Sequence, residues 1–575
     1  MDDNKLESIS QNLKSYLTKY DTQCILGHLS FLMTCITNGA AQDQLGKLTS
    51  PMRQLYYLAG LLVSQESSGE NEIQFSDKDW SYIVDKFTLI EQEYYNLFLP
   101  DDSLENVREE WKNKAAAAMP TFLSYFNLGP LNFEEQIIEQ IRGTFTNLDD
   151  VIVSKTGITT EEFLLFYDNL DSWCQYNFQS LSLISKDEYP LRPNWKDYTK
   201  LEVGPNDEAP ETIKAYGIEN QPMYTYVVDP GIKNRFKLTD VANNGLSEEK
   251  VKAILSMLTL KRSNTQYLYY TEQNPLNIFP IIELGNGLYQ VFEEKRILHA
   301  IYYWLEEICK ENENTKSRLI HHKGNYLETK IVSLFRKFFG DKAHILRGYY
   351  VDGCEQDIII DWRGYLFVIE AKAYNNKEPF RDVDKAFRRI KQDFNRSIGA
   401  AYEQTKRVEL KMKEGKPFDL TDKEGNVLKT INPNDFDGND FYLIVNQESF
   451  GQIQADLSTL LDVKDGFEYP WAVRFDDLEV FILTLMARKK KPDFFIDFLI
   501  FREYLHGHII CSDEGEICGG YLTGDLTQDM AESEAVIITT PDLAAIFDEH
   551  YRLGMGFKNE KYWKEKHDGN TMFWG

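Results

Sequence analysis

The residues best suited to chemistry lie in one stretch that holds two acids and a lysine at strand-like spacing. Asp357 and the sequence Glu370-Ala-Lys372 are separated by apolar, β-branched and aromatic runs on either side of Arg363-Gly364. Runs of this composition around a glycine-containing turn predict a β-hairpin. With Arg363-Gly364 as a two-residue turn, Asp357 falls opposite Glu370, and strand alternation places Glu370 and Lys372 on one face. The sequence therefore predicts that two carboxylates and an ammonium group meet at one point.

Opposed carboxylates on neighbouring strands indicate a metal site. Like charges directly opposite each other destabilise a sheet unless something neutralises them. A hard divalent cation with oxygen ligands is the simplest candidate. The alternative is a same-face ion pair of Glu370 and Lys372 on a solvated strand. The apolar run Tyr365–Ile369 that precedes them favours a central strand, where charges rarely lack a role. Asp361, at the hairpin tip, is expected to be a turn residue.

A helix is expected just before the hairpin. Residues 324–339 carry an apolar stripe at positions 327, 331, 334, 335, 338 and 339, which is typical of a packed helix. Glu328 borders this stripe in the expected first turn. From there its carboxylate can reach the same metal or its waters, or it can simply complement the helix dipole.

A second helical segment is expected after the hairpin, over Asp382–Lys413, and it is locally basic. Between Arg381 and Lys416 there are eleven Lys and Arg against six Asp and Glu. Such a run is usually a solvated helix face, but beside a phosphodiesterase site it is where a nucleic-acid backbone would lie. The candidate backbone contacts are Arg381, Lys385, Arg388, Arg389, Lys391 and Arg396.

The order Glu328 on a helix, Asp357 on a strand and Glu370-Ala-Lys372 on the next strand resembles the PD-(D/E)XK, or restriction-endonuclease-like, nuclease superfamily over residues 318–480. Gln356 stands where that family often has proline. The resemblance implies hydrolysis of phosphodiester bonds in DNA with Mg²⁺, for which Mn²⁺ is expected to substitute. The implied metal ligands are Asp357, Glu370, the backbone carbonyl of Ala371, and Glu328. Lys372 would orient or deprotonate the attacking water, and Gln404 is similar to a glutamine that faces the site in several branches.

Length and composition predict a multidomain chain. Its 575 residues exceed what one core usually serves. The expected segments are an all-α domain (1–185), a proline-rich connector (186–230), a small α+β domain (231–317), an α/β nuclease core with a mixed central sheet (318–480) and a small α/β region (481–575). The seven cysteines are scattered without a CxxC pair. Together with the absence of an apolar leader or span, they predict a cytoplasmic protein that does not enter membranes.

The net charge of −28 argues against a free-running, nonspecific DNase, because an acidic protein repels polyanions at long range. The chain carries no GxxxxGK[ST] phosphate loop and so no ATPase motor of that type. A nuclease with large flanking domains fits, by analogy, a regulated bacterial anti-phage or restriction-type effector. The helical region could bind a protein partner or a second copy. Two alternatives stay open: a catalytically inactive fold that binds nucleic acid or protein, and an RNase.

Overall fold

The structure is a computed structural model that describes residues 3–38, 41–69, 71–98, 114–115, 117–119, 132–182, 229–374, 382–464, 466–533, 535–558 and 560. Most of the expected connector (186–230) and Arg381 lie outside the described residues. The chain forms two units, one of Met1–Leu97 with Phe145–Leu319 and one of Phe98–Thr144 with Ile320–Gly575. Within the described ranges, no helix combines the length and the apolar character needed to cross a membrane.

The N-terminal region is helical, as its mixed apolar and charged sequence predicts. Its helices are α1 (Asp3–Tyr16), α2 (Thr22–Asn38), α3 (Gln42–Leu45), α4 (Pro51–Val63), α5 (Asp77–Asn96), α6 (Glu134–Phe145), α7 (Asp149–Thr156) and α8 (Thr160–Ser182). Pro51 begins α4, where its missing amide hydrogen costs nothing. Ser76 caps α5 by accepting a hydrogen bond from the amide of Asp79, whose side chain accepts one in turn from the Ser76 amide.

A small sheet completes the first unit. Its strands are β1 (Arg235–Lys237), β2 (Thr259–Leu260), β3 (Ile281–Gly285) and β4 (Leu288–Val291), in the order β1-β4-β3-β2. The accompanying helices are α9 (Leu238–Val241), α10 (Glu248–Leu258), α11 (Pro275–Ile278) and α12 (Arg296–Lys310). Asn286 and Gly287 both adopt positive φ between β3 and β4. Two consecutive residues with positive φ are typical of a two-residue hairpin turn.

The aromatic run Gln266–Tyr270 has the composition of a strand, but it is irregular. Side chains occupy the backbone groups that a neighbouring strand would pair with. The Lys14 ammonium donates to the carbonyls of Thr265 and Tyr267, at 2.8 and 2.7 Å, and the Tyr57 hydroxyl donates to the carbonyl of Leu268 at 2.7 Å. Tertiary contacts have overridden strand propensity here.

A seven-stranded mixed sheet forms the centre of the second unit. Its strands are β5 (His344–Val351), β6 (Cys354–Trp362), β7 (Tyr365–Lys372), β8 (Phe418–Thr421), β9 (Val427–Ile431), β10 (Asp440–Asn446) and β11 (Trp471–Arg474). The order is β11-β10-β7-β6-β5-β8-β9. Strands β7, β10 and β11 are parallel, whereas β6, β5, β8 and β9 pair antiparallel. The expectation of an α/β region with a mixed central sheet is confirmed at this level.

Helices cover both faces of this sheet. The helix α13 (Glu313–Phe339) packs its apolar stripe on the face that carries Ile358, Ile360, Phe367 and Ile369. The opposite face carries Ile359, Leu366 and Val368 and packs against α15 (Ala400–Lys413). Central strands buried on both sides are expected to read as continuous apolar runs, and β7 does.

The basic segment after β7 is helical throughout, with a π-helical turn inside it. It divides into α14 (Val383–Phe394), a π-helical turn (Asn395–Gly399) and α15. A π-helical turn adds a residue to the helix and changes which face the later residues present. The helical segment expected over Asp382–Lys413 is confirmed, and the π-helical turn within it is a detail that the sequence pattern does not predict.

The remaining elements surround the β11 side of the sheet. They are α16 (Gln452–Ala455), α17 (Phe475–Ala487), α18 (Pro492–Glu503), β12 (Ile509–Ile510), α19 (Glu514–Thr523), α20 (Gln528–Ala531), β13 (Ile537–Ile538) and α21 (Ala545–Leu553). Aromatic and aliphatic residues of α17 and α18 join the same apolar cluster as α13. Strands β12 and β13 form a separate two-stranded parallel sheet.

Gly364 offers a test of what fixes the hairpin. Arg363 and Gly364 both have positive φ, at 52° and 82°, so the turn is of a type that twists with its strands. We expect Gly364→Ala to lower the free energy of unfolding by about 1 kcal/mol, since alanine is strained in this region. Arg363→Asn should raise it, because asparagine tolerates positive φ better than arginine.

Thermal and urea unfolding of the two variants and the wild type would measure both effects. Two changes in the same direction would contradict this account of the turn.

Candidate active site

The hairpin has the register that its turn predicts. Strands β6 and β7 pair from Trp362 with Tyr365 at the turn to Ile358 with Ile369 at the far end. The next pair in this register is Asp357 with Glu370. The prediction that these two acids face each other rests on this register, which the structure confirms.

Backbone pairing is missing on both sides of Asp357, and we call this position the opening of the sheet. Pairing between β6 and β7 stops at Ile358, and pairing between β5 and β6 skips the position where Gly348 stands opposite Asp357. Gly348 adopts φ of 65°, a conformation that favours glycine. Side chains replace the missing backbone bonds: the Asp357 amide donates to Glu370 Oε1 at 3.2 Å, and the Ala371 amide donates to Asp357 Oδ2 at 2.8 Å. Both carboxylates are thereby fixed in orientation.

Glu370 is a fully buried acid, with 0% of its surface exposed. Burial, reinforced by the charge of Asp357 and opposed by that of Lys372, raises the pKa of Glu370 to about 8. A carboxyl group in this state is protonated at neutral pH unless more positive charge reaches it.

Lys372 bridges the two acids. Its Nζ lies 3.1 Å from Glu370 Oε2 and 3.6 Å from Asp357 Oδ2. The carbonyl of Lys372 accepts a hydrogen bond from the Gln447 amide at 3.0 Å, so this end of β7 is held by the chain that follows β10. Successive residues of a strand direct their backbone groups to opposite sides. The carbonyl of Ala371 therefore points, like its amide, towards the opening beside Asp357.

Glu328 lies near this group but is bound elsewhere. It stands in the middle of α13, so the expected first-turn position, and the helix-dipole explanation with it, are wrong because α13 begins at Glu313. Arg347 on β5 donates to Glu328 Oε2 at 2.6 Å. Burial raises the pKa of Glu328, the Arg347 hydrogen bond lowers it, and the charge of Asp357 raises it again. Asp357 and Glu328 thus interact electrostatically.

The described residues contain no group of three His, Cys, Asp or Glu side chains arranged to hold a metal ion. The site as it stands is a pair of carboxylates with one lysine. Glu328 as a metal ligand stays a prediction, and it requires that the carboxylate leave Arg347.

The other candidate residues lie on the helices after β7. Gln404 is half-buried on α15, and its Nε2 is 3.5 Å from the carbonyl of Glu355, two residues before Asp357. Lys385, Arg388, Lys391 and Arg396 are exposed, Arg389 is half-buried, and Arg381 lies outside the described residues. The described part of α14 and the π-helical turn therefore present a cationic surface to solvent.

Two buried polar residues at the site were missed from the sequence. The Tyr349 hydroxyl is fully buried and has no hydrogen-bond partner among the described residues. Burial raises the pKa of Tyr349, and the charges of Glu370 and Asp357 raise it further. The Tyr349 ring therefore lies close to the carboxylate pair. Gly348, a glycine inside a strand, is the sequence signal that could have marked this opening.

The second is Asn446, which pairs in register with Lys372. Its Oδ1 accepts from the Ser397 hydroxyl in the π-helical turn at 3.4 Å, while its Nδ2 has no partner among the described residues. No pattern in the sequence marks Asn446, since a single asparagine at a strand end is common.

Glu370 makes the stability of the chain depend on pH in a specific direction. The folded chain keeps the Glu370 proton up to about pH 8, whereas an unfolded carboxyl releases it near 4.5. This contribution to stability is complete below pH 4.5 and is lost as the pH rises through 8. In the presence of EDTA, we expect Glu370→Gln to gain thermal stability relative to wild type as the pH rises from 5 to about 8.

Glu355→Gln is the matched control, because Glu355 is exposed on the same strand. Its unfolding temperatures should run parallel to those of the wild type across this pH range. A Glu370→Gln profile that also runs parallel would show that Glu370 is not held protonated by its surroundings.

Comparison with known proteins adds no assignment for this arrangement. No protein-family model, curated protein or solved structure matches the chain.

Proposed function

We propose that this protein is a metal-dependent nuclease that hydrolyses phosphodiester bonds, with DNA as its substrate. The observation that carries the proposal is the pair of carboxylates at the opening of the sheet, one of them fully buried, with Lys372 within 3.6 Å of both. The order α13, β6, β7, α14–α15, β10 supports it, since the PD-(D/E)XK resemblance implies a helix with Glu328, two successive strands with Asp357 and Glu370-Ala-Lys372, a following helix and a further core strand.

The donor set fits a hard divalent cation. Asp357, Glu370 and the Ala371 carbonyl offer only oxygen, the ligand atom that Mg²⁺ and Mn²⁺ prefer. Burial and the charge of Asp357 raise the pKa of Glu370, and a cation beside the pair would favour its ionised form. A cation held there would supply charge for the transition state and lower the pKa of a water nucleophile.

The side chains of the chain have separate roles in this proposal. Asp357 and Glu370 would hold the cation, and hydrogen bonds from backbone amides fix the orientation of both carboxylates. Lys372 orients the attacking water as an ammonium, or takes the proton of that water as a neutral amine. Gln404 would contact the substrate or the water from α15. We further propose that the large flanking regions regulate the activity, as expected of a bacterial anti-phage or restriction-type effector.

Isosteric variants test these roles. Asp357→Asn, Glu370→Gln and Lys372→Met should each reduce cleavage by about 100-fold or more, since each removes a group required for the metal or for proton transfer. Purified protein with Mg²⁺ or Mn²⁺ would be assayed on linear, circular and single-stranded DNA and on RNA. Glu355→Gln is the matched control and should cleave like the wild type. Full activity of Lys372→Met would refute the proposed role of the lysine, and preference for RNA would make the protein an RNase.

A non-catalytic binding module is the second candidate. It is favoured by the bond between Arg347 and Glu328 and by the lack of a three-ligand group among the described residues. Calorimetric titration with Mn²⁺ separates the two functions. Binding in the wild type that is abolished in Glu370→Gln supports the nuclease, whereas the module predicts neither binding nor cleavage.

Cationic residues of α14 test the proposed DNA interaction. Lys385→Glu with Lys391→Glu should weaken DNA binding and lower the slope of log affinity against log salt by about one for each phosphate that the variant no longer neutralises. Fluorescence anisotropy in the Glu370→Gln background keeps the substrate intact. Lys423→Glu, at another exposed lysine, is the control. An equal effect of Lys423→Glu would mean that net charge, not α14, determines binding.

A further inference from the structure

The small sheet of β12 and β13 exposes a cluster of β-branched side chains. Ile510 and Ile538 are cross-strand partners, with 52% and 70% of their surfaces exposed. Val536, with 61% exposed, lies two residues before Ile538 and so points to the same side. Isolated exposed apolar residues are ordinary, but adjacent ones on one sheet face mark a binding surface.

The two edges of this sheet differ. At β12, the side-chain amide of Gln452 forms the hydrogen bonds that a neighbouring strand would form. It donates to the carbonyl of Ile509 at 2.9 Å and accepts from the amide of Cys511. At β13, the amides of Ile537 and Thr539 bond inward to β12. In the described part of the chain, no strand pairs with the outer edge of β13. An unpaired apolar edge is a template for another strand.

A groove of about 440 Å³ runs along this edge. Residues Ala535–Ile538 form one wall, and Leu526, Met530 and Leu543 contribute apolar surface to it. The volume is within the range of sites that enclose several side chains. Both requirements for adding a peptide strand are therefore met, since the edge supplies backbone groups and the groove accepts alternate side chains.

The charge around the groove indicates the chemistry of the partner. Residues 512–534 contain seven acids and no Lys or Arg. Glu514 and Glu516 are buried against Arg502 and Thr539. The exposed acids are Asp525, Asp529, Glu532 and Asp542. These four form no ion pair with the described residues, so their charges face solvent. Such a rim repels nucleic acid and a second copy of this acidic chain, and it attracts cations.

We infer that the groove along β13 binds an extended peptide segment of a partner protein in which apolar side chains alternate with Lys or Arg. The segment adds a strand to the outer edge of β13, its apolar side chains enter the groove, and its cations face the acidic rim. This interaction does not depend on the proposed nuclease function.

A synthetic peptide tests the inference on the full chain. The probe is fluorescein-labelled Lys-Val-Lys-Val-Lys-Val-Lys, measured by anisotropy. Two control peptides replace valine by serine, which keeps the charge, or lysine by glutamate, which keeps the apolar side chains. We expect saturable binding of the Lys-Val peptide alone. Ile538→Lys should weaken it by about tenfold or more, because the variant removes an apolar side chain from the groove and adds a charge that repels the peptide.

Val427→Lys is the matched protein control, because Val427 is 58% exposed on a different strand of the same unit. It should change the affinity by less than about twofold, and Ile538→Lys should leave the unfolding temperature unchanged, as expected for an exposed residue.

The inference is overturned by no binding of the Lys-Val peptide, by equal binding of the Lys-Ser peptide, or by indifference to Ile538→Lys. A dimer in sedimentation that Ile538→Lys dissociates would assign the groove to a second copy. Binding that appears only after removal of residues 561–575 would assign it to the chain's own C-terminal segment. Either result also overturns the inference.

Discussion

The central sheet must satisfy its backbone hydrogen bonds at Asp357, where the pairing of β6 with β7 ends and the pairing of β6 with β5 is interrupted. Buried amide groups without a partner are costly, so they must find other acceptors. The Asp357 amide uses the Glu370 carboxylate, and the Ala371 amide uses the Asp357 carboxylate. These two hydrogen bonds fix the orientation of both carboxylates at the position where strand pairing is missing. Removing Glu370 leaves the Asp357 amide unpaired, and removing Asp357 leaves the Ala371 amide unpaired, so structure and site cannot be separated at this point.

The packing of the sheet makes the site electrostatically unusual. Helices α13 and α15 cover the two faces and keep water from β7. Glu370 is consequently desolvated, and Lys372 is shared between Glu370 and Asp357 instead of neutralising either fully. A fold that needed only stability would be better served by apolar residues here. A buried acidic pair with a strongly shifted pKa is a candidate functional site on this physical ground.

Local sequence was enough to predict the features that local physics determines. The two turn residues fix the hairpin register, and the register alone brings Asp357 opposite Glu370. The apolar run before Glu370 likewise indicates a central strand. Distant contacts decide the rest. Arg347 on β5 binds Glu328. The helix α13 begins at Glu313, well before the apolar stripe from which the sequence predicts a helix. The π-helical turn and the opening at Gly348 depend on packing between elements, which periodicity does not encode.

The charge of the chain constrains how the proposed nuclease meets a polyanion. At physiological salt, charges act over about 8 Å, so the net charge of −28 opposes approach while local charges govern contact. Exposed cations on α14 and the π-helical turn provide such a local surface, next to strand β7 in sequence. The acidic rim around the β13 groove lies in the same unit, and it attracts cations and repels nucleic acid. One unit therefore presents two surfaces of opposite charge, and a cationic protein partner and a nucleic acid would not compete for the same one. A partner bound at β13 would also reduce the negative charge of the unit, and long-range repulsion of DNA would fall with it.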